Sequence, residues 1–479
     1  MPPERRLTGV GRRALAALLG TVVLGGAVVT GATAPSAADD TAPSPAPGQP
    51  WFGPGLDWEE DLPDEYAERL GETPSLYAQR VRYPLTQDDR GYLAGFAELA
   101  ATQGAVAVLT LEPQVSLTSL TSRDAAVLAE ELADLHHHFD THFLVRFAPE
   151  MNGSWVIWGQ QPDRYVAAFR TVADAVHGIT DSGSGAADSG SDSGASRAGH
   201  AEMVWAPAYG AGYPFGRSYG AVDAAGQRIA QVLDTDGNGT VDDGDDPYDP
   251  YFPGDRYVDW VGLSLYHYGD RQDFGNNAAP AAGAFKARLD DRFGYGVQQQ
   301  RQSFHDRYAS RTRPMLVETS ALYNTAYDRG DSERRLKRAW WRQVLAGAAG
   351  RPAIGAISWL ELTRPEAEID DEVADWRATH TPGLAGALRA DLDASDVALG
   401  PVTRVVDPQA GSTDGSSPAA AESGSDGSVA DGSGADGSAS DDGEPAVPSA
   451  DWVPVGLGLI AVGYLLYRLI TRRRSSAEA

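Results

Sequence analysis

Short apolar runs recur along residues 51–399. Most are followed by a stretch whose apolar positions return every three or four residues. The runs read as buried strands and the periodic stretches as helices packed behind them. Strands are predicted at Phe52–Trp58, Leu76–Tyr83, Ala105–Leu111, Phe143–Phe147, Met203–Ala206, Val258–Tyr266, Pro314–Val317 and Ile354–Trp359. Helices are predicted at Asp88–Gln103, Ser122–His138, Pro162–Val176, Ala281–Phe304, Ser332–Ala349 and Leu384–Leu392. This alternation predicts an α/β protein, a (β/α)8 TIM barrel over residues 51–400. A doubly wound open sheet is the alternative, but no Gly-rich phosphate loop follows the first strand.

The ends have other patterns. Arg5, Arg6, Arg12 and Arg13 precede an apolar stretch from Ala14 to Val29 and the small-residue run up to Ala38. That layout predicts a secretory signal peptide over residues 1–38, followed by a linker over 39–50. Trp452–Ile470 is apolar except for Arg468, and Arg472–Arg474 follows. This predicts a short transmembrane helix with a cytoplasmic tail at 471–479, by the positive-inside rule. Residues 401–451 are rich in Gly, Ser, Ala and Asp, which predicts a disordered acidic spacer. Thr180–Gly199 has a similar low-complexity composition inside the predicted barrel and reads as an exposed loop insertion. The chain is expected at the cell surface, outside the cytoplasmic membrane and tethered at its C-terminus.

Composition narrows the partners. The formal net charge is −28, which repels phosphates and argues against nucleic acid. There is no cysteine, so neither disulfides nor thiolate metal sites are available. A monomer is expected.

In a barrel of this kind the chemistry sits at the C-terminal ends of the strands. Glu150 falls at the end of the fourth strand, with Trp155 and Trp158 close behind it, and Glu318 falls at the end of the seventh. A carboxylic acid beside flat aromatic surface suits sugar-chain cleavage: the acid protonates the leaving oxygen and the indoles cover the C–H faces of the rings. Two carboxylates meeting on one rim permit retaining glycoside hydrolysis. The plainer alternatives are a strand end with two core tryptophans and a Glu318 held in an ordinary ion pair. Glu112, at the end of the third strand, reads equally as a sugar contact or a surface residue.

Asp234–Asp245 fits an EF-hand loop. Asp234, Asp236 and Asn238 stand at the first, third and fifth positions, Gly239 at the turn, Thr240 at the seventh, Asp242 at the ninth and Asp245 at the last. Structural Ca2+ is the expected ligand, on the rim between the fifth and sixth strands. A plain acidic loop is the alternative. His136–His138 with His142 read as a solvated helix end rather than a metal site.

The segment Arg146-Phe-Ala-Pro-Glu-Met-Asn-Gly-Ser-Trp-Val-Ile-Trp-Gly159 resembles the acid/base motif of glycoside hydrolase family 26, the bacterial β-mannanases. Phe252–Tyr266 resembles that family's sixth-strand motif, and Pro314-Met-Leu-Val-Glu318 is similar to its nucleophile strand. The resemblance covers residues 51–399. It implies Glu150 as acid/base, Glu318 as nucleophile and Tyr266 as the hydrogen-bond donor that orients Glu318. It implies that Trp155 and Trp359 stack on sugars near the cleaved bond and that Arg146 lies beneath the site. Asp259 and Trp260 read as structural. Pro149 stands where the family usually has His, so the implied chemistry is firmer than the implied β-1,4-mannan substrate. Another β-glucan, xylan, an exopolysaccharide, or a carbohydrate-binding barrel without catalysis are the rivals.

Overall fold

The computed structural model describes residues 42–58, 60–182, 200–215, 226–270, 273–293, 302–366 and 369–402. The predicted signal peptide, acidic spacer and transmembrane helix lie outside the described residues, as does most of the Thr180–Gly199 segment. Among the described residues no helix is long and apolar enough to cross a membrane.

Eight parallel strands close into a barrel in chain order. They are β1 (Trp51–Leu56), β2 (Leu76–Tyr83), β3 (Val106–Pro113), β4 (Phe143–Phe147), β5 (Ala201–Trp205), β6 (Trp260–Ser264), β7 (Met315–Thr319) and β8 (Ile354–Glu361). The ring closes where β1 pairs with β8, from Trp51 beside Ala356 to Leu56 beside Glu361. Each predicted strand is present. Two run further than expected, β3 through Glu112 and β8 through Glu361; the first extension carries Glu112 toward the site, while Glu361 faces outward and accepts from Ala378 N and Thr379 N.

Side-chain parity divides the core in two. Leu76, Ala78, Val106, Val108, Leu144, Val204, Leu316 and Ala356 point into the bore. Trp51 and Trp260 stack across its lower end with ring centroids 5.6 Å apart. The alternate residues pack outward against the helices in a larger cluster. Burying both faces of every strand explains why the strands read as continuous apolar runs rather than alternating ones.

The helices are α1 (Pro63–Leu70), α2 (Gln87–Thr102), α3 (Ser122–Phe139), α4 (Pro162–Ser182), α5 (Gly226–Leu233), α6 (Ala284–Asp290), α7 (Phe304–Tyr308), α8 (Glu333–Ala349) and α9 (Pro382–Asp393). Local chemistry starts two of them: Thr86 with Asp89, and Thr121 with Asp124, form reciprocal capping boxes. The single helix expected over Ala281–Phe304 is instead α6 and α7. The backbone turns extended at Asp291, where the carboxylate accepts from the Tyr209 hydroxyl. A small antiparallel sheet was also not expected. Residues 363–366 and 372–375 form a hairpin, and Tyr323–Asn324 adds a third strand to it.

Candidate active site

Glu318 is the next inward residue of β7 after Leu316, beside Ser264 of β6 and Ser358 of β8. It is 5% exposed. One carboxylate oxygen accepts from Arg146 Nη1; the other accepts from the Tyr266 hydroxyl and, at 3.3 Å, from Arg80 Nη2. Burial by itself would raise its pKa. The charges of Arg146 and Arg80, together with the Tyr266 hydrogen bond, outweigh that and hold it at about 2. Arg146 sits inside the bore on β4, 2% exposed, with Thr110 Oγ1 as a second partner at 3.4 Å. Tyr266 follows β6. Its hydroxyl is pushed well up by burial, and further by the negative charges of Glu318 and Glu150.

Glu150 is held differently. The chain leaves β4 through a turn in which Ala148 (φ 46°) and Glu150 (φ 58°) both take left-handed backbone, which is unusual for residues other than Gly, Asn or Asp. Neighbouring backbone fixes the turn: Ala148 N donates to Leu111 O at 2.9 Å and Glu150 N to Ala206 O at 2.8 Å. Asn152 clasps the loop after β5, donating to Ala208 O at 2.9 Å and accepting from Ala208 N at 2.8 Å. The carboxylate accepts from Trp155 Nε1 at 2.8 Å. The Trp155 ring lies partly open, edge-on to Phe215 at 4.9 Å. Gly153 is required here, because a Cβ would come within 2.5 Å of the Trp155 ring.

Two predicted stacking residues are placed elsewhere. Trp359 pairs in register with Thr319, one residue beyond Glu318, and so faces out of the barrel. It is 0% exposed, lies edge-on to Trp341 of α8 and donates to Trp376 O. Trp158 is also core; its indole donates to Pro149 O at 2.8 Å and supports the Glu150 turn from behind. The aromatic rings near the centre are instead Trp155 and Tyr266, with Trp376 against Tyr266 at 5.5 Å. Trp376 itself is fully buried and carries the hairpin's inner residues: its indole donates to Glu366 at 2.8 Å, and Arg364 pairs with Glu366. Trp155 and Tyr266 are expected site residues; Trp376, Glu366 and Arg364 are not.

Arg80 was missed as well. It shares its parity on β2 with the bore-lining Leu76 and Ala78, so a charged residue in the inward register was the available signal. Glu112 takes the inward choice of its two readings; it pairs with Arg80 Nη1 at 2.8 Å and is 8% exposed.

The acidic loop brings oxygens of Asp234, Asp236 and Asp245 within 4.8 Å of one another. Asn238 N donates to both Asp234 and Asp236 at 3.0 Å. Asp242 lies beside this group, accepting from Thr240 Oγ1 at 3.0 Å and Asn238 Nδ2 at 3.2 Å. Asp245 is 1% exposed and accepts the backbone N–H of Thr235 and Asp242. Converging carboxylates of this kind repel one another, so the donor set suits a hard divalent cation. The histidines do not converge: His142 pairs with Glu202 at 3.0 Å and His136 with Thr141 O, at the end of the barrel opposite the candidate site. Asp259 is also at that end, accepting from Met203 N and His177.

No family model matches the chain, and no curated protein matches it. Several solved structures are similar. One is an endo-β-1,4-mannanase double mutant of Cellulomonas fimi, 14% identical over 74% of this chain and 72% of that one, with a TM-score of 0.42. Another is a GH26 β-mannanase of Bacteroides ovatus, 12% identical over 74% and 90%, also with a TM-score of 0.42. A third, GH26A of a Muricauda species, is 14% identical over 65% and 83%, with a TM-score of 0.35.

Proposed function

We propose that the protein is a retaining glycoside hydrolase of the family 26 kind, acting on a β-linked polysaccharide, with β-1,4-mannan the leading substrate. The observation that carries this reading is the pairing of an ionised, doubly clamped Glu318 with Glu150 on one barrel rim. Glu318 attacks the anomeric carbon while Glu150 passes its proton to the leaving oxygen. An ester between sugar and Glu318 results. Water then attacks the anomeric carbon, Glu150 takes the water's proton, and Glu318 leaves as a carboxylate. Tyr266 fixes the attacking oxygen and Trp155 orients the acid. Trp155 is the sugar-facing aromatic.

The test is hydrolysis of a polysaccharide panel by the purified residues 39–402, with analysis of product anomers, beside Glu150→Gln and Glu318→Ala. Release of β-configured ends that disappears in both variants supports the reading. Activity that survives both refutes the assigned residues; activity absent throughout leaves the carbohydrate-binding barrel in its place.

Calcium at Asp234, Asp236 and Asp245, with Asn238, Thr240 and Asp242 beside them, belongs to the same proposal as a structural ion on the rim. So does export with a C-terminal tether, which membrane fractionation of the full chain tests.

A further inference from the structure

Two guanidinium groups reach Glu318, and they differ in one respect. Arg146 is 2% exposed and, among the described residues, has the Thr110 hydroxyl, at 3.4 Å, as its one other hydrogen-bond partner. Arg80 keeps 27% of its side-chain surface open and has a carboxylate of its own, Glu112, at 2.8 Å. From this geometry we infer that Arg80, suspended between Glu112 and Glu318, is a positioning residue for the nucleophile. Its second carboxylate keeps it neutralised when Glu318 is consumed. The inference rests on the glycosidase reading.

The charge on Glu318 changes through the reaction. Before attack, Glu318 is an anion held by two cations. Once its oxygen bonds to the anomeric carbon, that negative charge is gone. A buried guanidinium whose only counter-charge was Glu318 is then left uncompensated, which is costly. Arg80 escapes this because Glu112 remains. Glu112 also limits how firmly Arg80 grips Glu318 beforehand, leaving the attacking oxygen less encumbered. The other groups around Glu318 are accounted for. Arg146 faces it from β4 and Tyr266 from the end of β6, and Glu112 acts through Arg80 from β3. The charge of Glu150 reaches Tyr266 and Glu366, and that of Arg364, from the hairpin, is felt against Tyr266 and Arg80.

The experiment is the pH profile of kcat/KM for the wild type, Arg80→Met, Arg80→Lys and Glu112→Gln, on whichever polysaccharide the wild type cleaves. The acid limb reports the group that must be ionised in the free enzyme. Arg80→Met is expected to move that limb up by about one pH unit or more and to lower kcat/KM by roughly 10- to 100-fold. Arg80→Lys keeps the charge and most of the limb's position. Glu112→Gln lowers kcat/KM with the limb moving down or staying. An Arg80 that only supports the barrel would lower the melting temperature and leave the limb unmoved, and that result overturns the inference. Should Arg80→Met not fold, Arg80→Gln replaces it with the same expected shift. A wild type that cleaves nothing sinks the glycosidase reading and this inference with it. An active wild type with an unmoved limb sinks the inference alone.

Discussion

Glu318 and Glu150 are the same residue type at the ends of two strands of one barrel, and their surroundings could hardly differ more. Glu318 is enclosed, with two guanidinium groups and a phenol directed at it from three other strands or strand ends. Glu150 sits on a strained turn and, among the described residues, its carboxylate takes one hydrogen bond, from the Trp155 indole. Burial without counter-charge would neutralise a carboxylic acid; burial among cations fixes it as an anion. Only the second kind suits a nucleophile, while the proton donor must be able to lose and regain its proton. In the proposed reading, an anion fixed among cations fits Glu318 to the attacking role, and Glu150 takes the proton-transfer role by its place on the same rim.

The contrast can be broken experimentally, and the largest effect belongs to the clamp. Arg146→Met leaves Glu318 buried without its main counter-charge. We expect a loss of roughly 3–5 kcal/mol of stability, read by chemical denaturation, together with loss of activity. A variant as stable as the wild type would refute the clamp. Next is acid sensitivity. Glu318 has its pKa lowered from 4.5 to about 2, so its contribution is fully present above pH 4.5 and is lost as the pH falls toward 2. The scale is roughly 3 kcal/mol. Arg146→Met should lack this acid-labile portion, so wild type and variant should converge in stability between pH 4.5 and 2. Parallel curves would contradict it. On the Glu150 side the effects are smaller. Trp155→Phe removes the donor but keeps the ring, and should cost about tenfold in kcat, near the energy of one hydrogen bond to a charged group, with little change in melting temperature. Smallest is the rim loop. Excess chelator should lower the melting temperature by a few degrees if calcium is bound, by about 1 kcal/mol or more of linkage. Asp236→Ala should abolish the difference; an unchanged melting temperature counts against the ion.

The same contrast explains what was legible in the chain. Both carboxylates could be placed because each ends an apolar run, and a closed barrel sends all such ends to one rim. Parity was not legible. In a strand buried on both faces, Ser358 and Trp359 look equally inward, and only the pairing of Ser358 with Glu318 shows that Trp359 points to the helices. Arg80 was hidden for a related reason: Arg80 and Arg82 share one face of β2, and nothing local says whether that face enters the bore or meets the helices. The hairpin over residues 363–375 was missed because strands this short, bearing Thr, Arg, Pro and Glu, carry no apolar period. Its core residue, Trp376, is defined by contacts made across the barrel mouth.

The stacked indoles of Trp51 and Trp260 have a use beyond packing. They start β1 and β6, which are not neighbours in the ring, so no single hairpin or strand–helix–strand unit brings them face to face. Their close, nearly parallel approach exists only when the first and last strands have met. The pair is therefore expected to serve as an optical gauge of ring closure: its share of the far-ultraviolet exciton signal, read as the difference from Trp51→Phe, should appear with completion of the barrel, whereas coupling of Trp341 with Trp359 needs only one helix and its adjacent strand.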